Sequence, residues 1–149
     1  MLRVTKLTDY ATVVMTCLPE AGEGVRSAQE VSERSRLELP TVSKLLKQLA
    51  RAGLVASQRG VHGGYRLARA AGEISVADIV AAIEGPFGMT ECSAHQGQCG
   101  YESHCGVRSN WRRISLAIET ALKSVSLADM AMPRAARKSI PVHMLRAEA

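Results

Sequence analysis

The chain has 149 residues, of which 46% are hydrophobic and only 3% aromatic, and its 19 Lys and Arg against 14 Asp and Glu give a net charge of +5. A chain of this size and apolar content is expected to fold as one domain, with or without a small appendage, and without a disulfide framework. It is too apolar for a disordered chain, and no run of 18 apolar residues predicts a transmembrane helix. Its polar start is unlike a secretory signal peptide, so we expect a cytoplasmic protein with no membrane partner.

The charge is divided into three blocks along the chain. Residues 1–70 hold 11 basic and 6 acidic side chains, residues 71–107 hold 5 acidic and no basic ones, and residues 108–149 hold 8 basic and 3 acidic ones. A net charge of +5 alone indicates no more than solubility. The change of sign from +5 to −5 and back to +5 instead predicts three regions with different partners.

The first third of the chain predicts three helices. The first ends at Pro19 and leaves Asp9 accessible, while the second starts at a capping box of Ser27 and Glu30 and spans about 27–35. The third opens near Pro40, a favoured first helical residue, and Gly53 is its natural stop. The apolar face of the first helix comprises Leu7, Tyr10, Ala11, Val14, Met15 and Leu18, and that of the third comprises Val42, Leu45, Leu46 and Leu49. The second and third helices have the proportions of a helix-turn-helix.

Two strand-like runs around the glycine-rich turn Arg59–Gly64 follow the third helix and predict a β-hairpin. A helix-turn-helix with such a hairpin is a winged helix. Its third helix enters the major groove, and basic residues of the wing approach the minor groove. The predicted DNA-binding residues are Thr41, Ser43, Lys44, Lys47, Gln48 and Arg51 of the helix and Arg59, His62 and Arg66 of the wing, with Arg69 as a further phosphate contact. The alternative is that the helix presents only a solvated polar face.

Three of the four cysteines, Cys92, Cys99 and Cys105, lie in a glycine-containing loop over 86–106 that shows no helical period. The loop follows a helix that Ser75 and Asp78 cap and that Gly85 and Pro86 end. Clustered thiols in a reducing compartment favour a metal site over disulfides.

The gaps of six and five residues between these cysteines do not match the paired knuckles of structural zinc sites. Thiolates also suit iron–sulfur clusters, which we favour here as either 2Fe–2S or 4Fe–4S. Unliganded thiols, a redox disulfide, and zinc with His95 or His104 are the alternatives. Cys17, beside the apolar face of the first helix, is expected to be a small buried hydrophobe.

Residues 107–130 predict one long helix. Its apolar stripe comprises Trp111, Ile114, Ile118, Ala121, Leu122 and Val125. A helix that extends past a small domain with such a stripe favours packing on a partner subunit. The predicted fold is therefore mainly α: a winged helix-turn-helix domain with a small β-hairpin wing at 1–85, a cysteine-rich cluster-binding loop at 86–106, a dimerisation helix at 107–130 and a basic, flexible tail at 131–149.

Residues 1–130 resemble the IscR/NsrR-type family of winged-helix iron–sulfur transcription regulators. The resemblance is carried by Leu7–Ala11 (LTDYA), by Arg59–Leu67 (RGVHGGYRL) and by the three-cysteine loop before a long helix. It implies a homodimer with crossed long helices, a cluster near the dimer interface, and a two-fold DNA operator bound by two winged helices. Leu39–Leu45 (LPTVSKL) is most similar to regulators of the SUF cluster-assembly operon.

The chain departs from the IscR pattern at two sites. Arg108 stands where IscR-like members have a ligand His, and Ser43-Lys44 replaces a Glu-Gln pair of their recognition helix, so the operator sequence is not carried over. The first cysteine gap is also one residue longer than is common in the family. In NsrR-like members an Asp from the first helix of the other subunit completes the cluster. Asp9 matches that position, and the resemblance implies it as fourth ligand ahead of His104 and His95.

The sequence thus predicts a cluster-sensing transcription regulator, a repressor of SUF-type iron–sulfur assembly genes. Its expected partners are a double-stranded DNA operator and a second copy of the chain, with no small-molecule substrate. A nitric oxide-sensing repressor of detoxification genes is the alternative of the same class, and a thiol or metal redox protein or cluster chaperone is the alternative of another class. The chain has no C-x-x-C, H-E-x-x-H or Walker motif, so we do not expect an enzyme.

Overall fold

The computed structural model describes residues 4–94 and 99–132, which form helices and one two-stranded antiparallel hairpin. The helices are α1 (Lys6–Thr16), α2 (Ala28–Ser35), α3 (Leu39–Arg51), α4 (Val76–Glu84), α5 (Glu91–Ala94), α6 (Arg108–Lys123) and α7 (Leu127–Ala131), and the strands are β1 (Val55–Gln58) and β2 (Gly64–Leu67). Single 3₁₀ turns occur at Ala71–Glu73 and Glu102–His104. None of the helices in these ranges is long and apolar enough to cross a membrane.

The helix-turn-helix forms where the sequence predicts it. Ser27 and Glu30 make the reciprocal capping box at the start of α2, and Pro40 lies in the first turn of α3. The predicted apolar face of α3 is fully buried, since Val42, Leu45, Leu46 and Leu49 have no exposed surface. Gly53 follows α3 with a φ of 74°, a left-handed conformation that favours glycine and ends the helix.

The wing is a short hairpin joined to the body of the domain. Val55 pairs with Leu67 and Gln58 with Gly64. Beyond the hairpin, Arg26 and Tyr65 exchange two backbone hydrogen bonds of 2.9 and 2.7 Å. A Cβ on Gly64 would lie 2.6 Å from the carbonyl oxygen of Arg26, so glycine is required for this approach. The position of the wing is therefore set by a contact with Arg26, the residue before the N-cap of α2.

The predicted face of α1 differs from the observed one at a single turn. Leu7 is 38% exposed, whereas Thr8 is only 2% exposed and joins Ala11, Val14 and Met15 on the buried side. The reason is a polar contact, which the spacing of apolar residues along the helix does not predict. The Thr8 hydroxyl donates a hydrogen bond to the carboxylate of Glu84, at the end of α4.

The single helix expected over 107–130 is two helices, so that part of the prediction is wrong. α6 ends at Lys123, and Ser126 with Asp129 forms a capping box that starts α7. The chain there returns to the winged helix: Val76 N–H donates to the Val125 carbonyl at 2.9 Å, and Leu127 N–H donates to the Ile74 carbonyl at 2.7 Å. Leu127 is 1% exposed and belongs to the main core.

Candidate nucleic-acid interface and cysteine loop

The face of α3 opposite to its buried side is basic. Lys44, Lys47 and Arg51 are exposed, and the shorter Thr41 and Ser43 are half-buried. The first turn of α3 therefore offers hydroxyl groups beside flexible cations. This is the residue chemistry that reads base edges and phosphates when a helix lies in the major groove.

Gln48 differs from the other predicted contacts of α3. Its side chain is half-buried, and its Oε1 atom is inside the protein without a hydrogen-bond partner among residues 4–94 and 99–132. The structure thus directs the amide oxygen away from solvent, whereas a base contact needs the amide at the helix surface. The sequence did not signal this, because residue 48 lies at the border between the polar and apolar faces of α3.

The tip of the wing projects into solvent. Arg59 and His62 are exposed, and Val61 between them is 99% exposed. Arg66 on β2 is half-buried. Arg69 lies 3.6 Å from the Asp78 carboxylate and donates to the Glu73 carbonyl at 3.4 Å, so this predicted phosphate contact already has partners within the chain.

The three loop cysteines occupy different surroundings. Cys92 lies in the single turn of α5, is 7% exposed, and has its Sγ atom 3.3 Å from the Thr90 hydroxyl oxygen. Cys99 and Cys105 are half-buried. All three are free thiols, as is Cys17, which packs against the core as expected but is half-buried rather than buried.

The donor chemistry of the loop fits an iron–sulfur cluster, since three free thiols lie within one short segment. Their geometry is not that of an assembled site. Within residues 4–94 and 99–132, no three His, Cys, Asp or Glu side chains are grouped so as to hold a metal ion. His104 is exposed and its Nδ1 atom is 2.7 Å from the Ser103 hydroxyl, and the other candidate imidazole, His95, falls outside the described residues.

Asp9 is exposed in the first turn of α1, as predicted from its place opposite the apolar face. The start of this helix is held by Glu84, which accepts hydrogen bonds from the Thr5 backbone N–H and hydroxyl, both at 3.1 Å, and from the Thr8 hydroxyl. Burial alone would raise the pKa of Glu84, but the hydrogen bonds from Thr8 and Thr5 outweigh it and hold that pKa below its ordinary value of 4.5. Sequence reasoning missed Glu84, whose partners are 76 and 79 residues away.

The family model for Rrf2, described as an iron-dependent transcriptional regulator, matches residues 4–133. The chain belongs to the Rrf2 family. The HTH-type transcriptional regulator IscR of Xenorhabdus nematophila is 33% identical over 130 residues, covering 87% of this chain and 79% of the relative. Its Aliivibrio salmonicida counterpart is 32% identical, covering 87% of this chain and 77% of that protein.

Solved Rrf2-type structures have the same fold. The structure of T. potens IscR matches with a TM-score of 0.64 and 32% identity, covering 93% of both chains. CymR (YrzC), the global cysteine regulator of B. subtilis, matches with a TM-score of 0.67 and 30% identity, covering 88% of this chain and 97% of that one.

Membership of the Rrf2 family confirms the predicted resemblance, the winged-helix fold and the assignment as a DNA-binding transcription regulator rather than an enzyme. The similarity to IscR regulators also supports iron–sulfur sensing in general. The family comparison does not distinguish among the individual DNA contacts and cluster ligands, which stay predictions.

Proposed function

We propose that this chain is a dimeric, cluster-sensing repressor of iron–sulfur assembly genes of the SUF type. The observation that carries the proposal is the position of the cysteine loop. It connects α4 of the winged helix to α6, its α5 turn packs on α6, and α6 leads through Val125 back to the same winged helix. A change in the loop therefore acts directly on α6 and, through α6, on its connection to the winged helix at Val125.

The DNA-binding part of the proposal rests on α3 and the wing. Lys44, Lys47 and Arg51 neutralise phosphates beside the major groove, while Thr41 and Ser43 face base edges. Arg59 and His62 at the exposed tip of the wing enter the minor groove, where a narrow A·T-rich segment concentrates negative potential.

The proposed ligands of the cluster are Cys92, Cys99 and Cys105, together with Asp9 of the partner subunit. When bound, an iron–sulfur cluster of the 2Fe–2S or 4Fe–4S type supplies bonds that respond to iron supply and oxidation. The chain's own contribution is to bring Cys99 and Cys105 toward Cys92, which already packs beside α6. Closing the loop this way biases the position of α6 and hence the separation of the two recognition helices of the dimer.

The exposed part of α6 supports the dimer. The predicted apolar stripe divides in two: Ile118 and Leu122 are half-buried, on a helix that packs against α4, whereas Trp111 is 37% and Ile114 is 44% exposed. Leu116 is 59% exposed on the same helix. A second copy of α6 would cover Trp111 and Ile114, as symmetric dimers commonly do, whereas Leu116 lies on another side of the helix.

The test combines a chemical and a DNA-binding measurement. Anaerobically purified protein is expected to be coloured, with iron and sulfide in the ratio of a cluster. DNA fragments selected from the genome by this protein are expected to lie upstream of SUF-type genes. Removal of the cluster or Cys99→Ala should weaken binding to these fragments by about 5- to 150-fold, the usual range of coupling between two sites.

The matched control is Cys17→Ala, since Cys17 packs against the core outside the loop. It should keep both the colour and the affinity. A colourless protein with one zinc per chain would contradict the proposed coupling between the cluster and DNA binding. Equal DNA affinity of Cys99→Ala and the wild type would contradict it as well.

A nitric oxide-sensing repressor is the second candidate; it uses the same proposed ligands, with the exposed Asp9 as the oxygen ligand. An exposed carboxylate on α1 is available to a cluster in another subunit, and an oxygen ligand leaves one iron more reactive than a thiolate does. Titration of the loaded protein with nitric oxide and, separately, with an iron chelator distinguishes the two. Release of DNA by stoichiometric nitric oxide but not by chelation supports this candidate.

A further inference from the structure

The segment that carries Cys92 is packed on the middle of α6 by a partly buried hydrogen bond. The backbone N–H of Met89 donates to the hydroxyl of Ser115 at 3.1 Å. Ser115 is 5% exposed and is the buried residue of α6, a helix whose remaining side chains are half-buried or exposed. Leaving a backbone N–H in the protein without an acceptor costs free energy. The Ser115 hydroxyl therefore stabilises the position of Met89 at the start of this segment.

A second contact closes the segment upon itself. A Cβ on Gly88 would lie 2.3 Å from the backbone nitrogen of Ala94 and 2.5 Å from its Cβ, so only glycine allows the two residues to touch. Between them, Thr90 N–H donates to the Ser93 hydroxyl at 2.9 Å, and Ala94 N–H donates to the Thr90 carbonyl at 3.0 Å. We call residues 88–94 the Cys92 arm.

The Cys92 arm holds its thiol differently from the other two cysteines. Cys92 is 7% exposed and lies beside the Thr90 hydroxyl, whereas Cys99 and Cys105 are half-buried. The contacts of the arm are all formed by the polypeptide itself.

We propose that the Cys92 arm is formed before any cluster binds, with Ser115 and Gly88 as its positioning residues. Cys92 is then the fixed ligand, and Cys99 and Cys105 are the ligands that engage after it. A ligand that is already in place lowers the ordering cost of binding. The order of ligand engagement rests on the proposed function, whereas the preformed arm is a separate claim about the apo chain.

The arm is tested on the full-length, reduced apo protein. A short pulse of iodoacetamide followed by mass spectrometry gives the alkylation rate of each cysteine. Cys92 is expected to react several-fold more slowly than Cys99 and Cys105. Ser115→Ala and Gly88→Ala should each raise the rate of Cys92 without changing that of Cys105, and Ser115→Thr, which keeps the hydroxyl, should restore the slow rate.

The control is Ser124→Ala, which removes an exposed hydroxyl at the end of the same helix and should leave all three rates unchanged. Circular dichroism verifies that each variant is folded, and the two positioning residues provide independent variants if one of them fails. Equal alkylation of Cys92 and Cys105 in the wild type overturns the proposal. So does an unchanged Cys92 rate in folded Ser115→Ala and Gly88→Ala.

A second measurement tests the fixed-ligand role. After anaerobic reconstitution, the visible absorption should decay several-fold faster on addition of a chelator in Ser115→Ala than in Ser124→Ala, and equal decay rates overturn that role. A wild type that shows slow Cys92 alkylation but takes up no cluster refutes the proposed function and still supports the preformed arm. The two failures are thus distinguishable.

Discussion

The carboxylate of Glu84, the last residue of α4, accepts a hydrogen bond from the hydroxyl of Thr8 in α1, 76 residues earlier in the chain. The same carboxylate accepts from the backbone and side chain of Thr5, the N-cap of α1. One side chain thereby joins the start of α1 to the point where the cysteine loop leaves α4. The exposed Asp9 lies one residue after Thr8, so the contact also fixes where the candidate fourth ligand is presented.

Glu84 is exposed, so solvent weakens its hydrogen bonds, and Glu84→Gln is expected to lower the free energy of unfolding at pH 7 by only about 0.5 kcal/mol, because a neutral amide is a weaker acceptor than a carboxylate. The folded-state pKa of Glu84 is lowered from 4.5, so its contribution is fully present above that value and is lost as the pH falls through the lower folded pKa. Urea unfolding from pH 7 to pH 3 should therefore show the two proteins converging below about pH 4.5. The exposed Glu73→Gln is the control, and parallel curves over the whole range would contradict the prediction.

Lys44→Ala is expected to weaken DNA binding and to make it less sensitive to salt. An exposed lysine that contacts one phosphate contributes about 0.9 to the slope of log affinity against log salt concentration. Fluorescence anisotropy at several salt concentrations measures this slope. The control is Lys123→Ala on α6, whose ammonium group is 2.7 Å from Glu119 and which should leave the slope unchanged. Equal slopes for the wild type and Lys44→Ala would show that Lys44 does not contact a DNA phosphate.

Gly64→Ala is expected to displace the wing. The added Cβ would lie 2.6 Å from the Arg26 carbonyl oxygen, which belongs to the backbone, so β2 or the segment at Arg26 must move. Overpacking of this kind costs about 1–3 kcal/mol of stability, and we expect a lower DNA affinity as well. Gly72→Ala is the matched control, because a Cβ there meets nothing within 4 Å. Thermal unfolding and DNA binding of the two variants test the prediction, and similar values for both would refute it.

Leu127→Ala is expected to destabilise the winged helix although residue 127 lies after α6. Leu127 is 1% exposed in the main core, and removal of a buried leucine side chain costs about 2–5 kcal/mol. Met130→Ala on the same short helix removes a side chain that is 43% exposed, and it should change stability by less than about 0.5 kcal/mol. Chemical denaturation compares them, and a small effect of Leu127→Ala would mean that α7 lies outside the cooperative unit.

The sequence predicted the winged helix because its signals are local. The face of α3 from Val42 to Leu49, the capping box at Ser27 and the glycines of the wing each lie within a few residues of what they determine. Local signals also predicted where α4 begins and ends. These elements follow from helical period, capping and turn chemistry, all of which depend on short spacings.

The remaining features depend on residues far apart in the chain. Thr8 is buried because its hydroxyl donates a hydrogen bond to Glu84. The apolar stripe continues to Val125, but α6 ends at Lys123. It ends there because Val125 and Leu127 form backbone hydrogen bonds with Val76 and Ile74. The cysteine spacing indicated which thiols to propose as cluster ligands, but not that Cys92 is the buried one of the three. That depends on the contact between Met89 and Ser115, 26 residues apart.

The return of the chain from α6 to the winged helix has a mechanical consequence. α6 has 16 residues and is about 24 Å long, and its C-terminal end is fastened by the backbone pairing at Val125 and Leu127. Ser115, where the Cys92 arm meets α6, lies about halfway along this rod. For a rigid helix pivoting at its fastened end, a displacement at Ser115 is about doubled at the Arg108 end. A shift of about 1 Å of the Cys92 arm at Ser115 thus becomes a shift of about 2 Å at Arg108, so α6 amplifies movements of the arm.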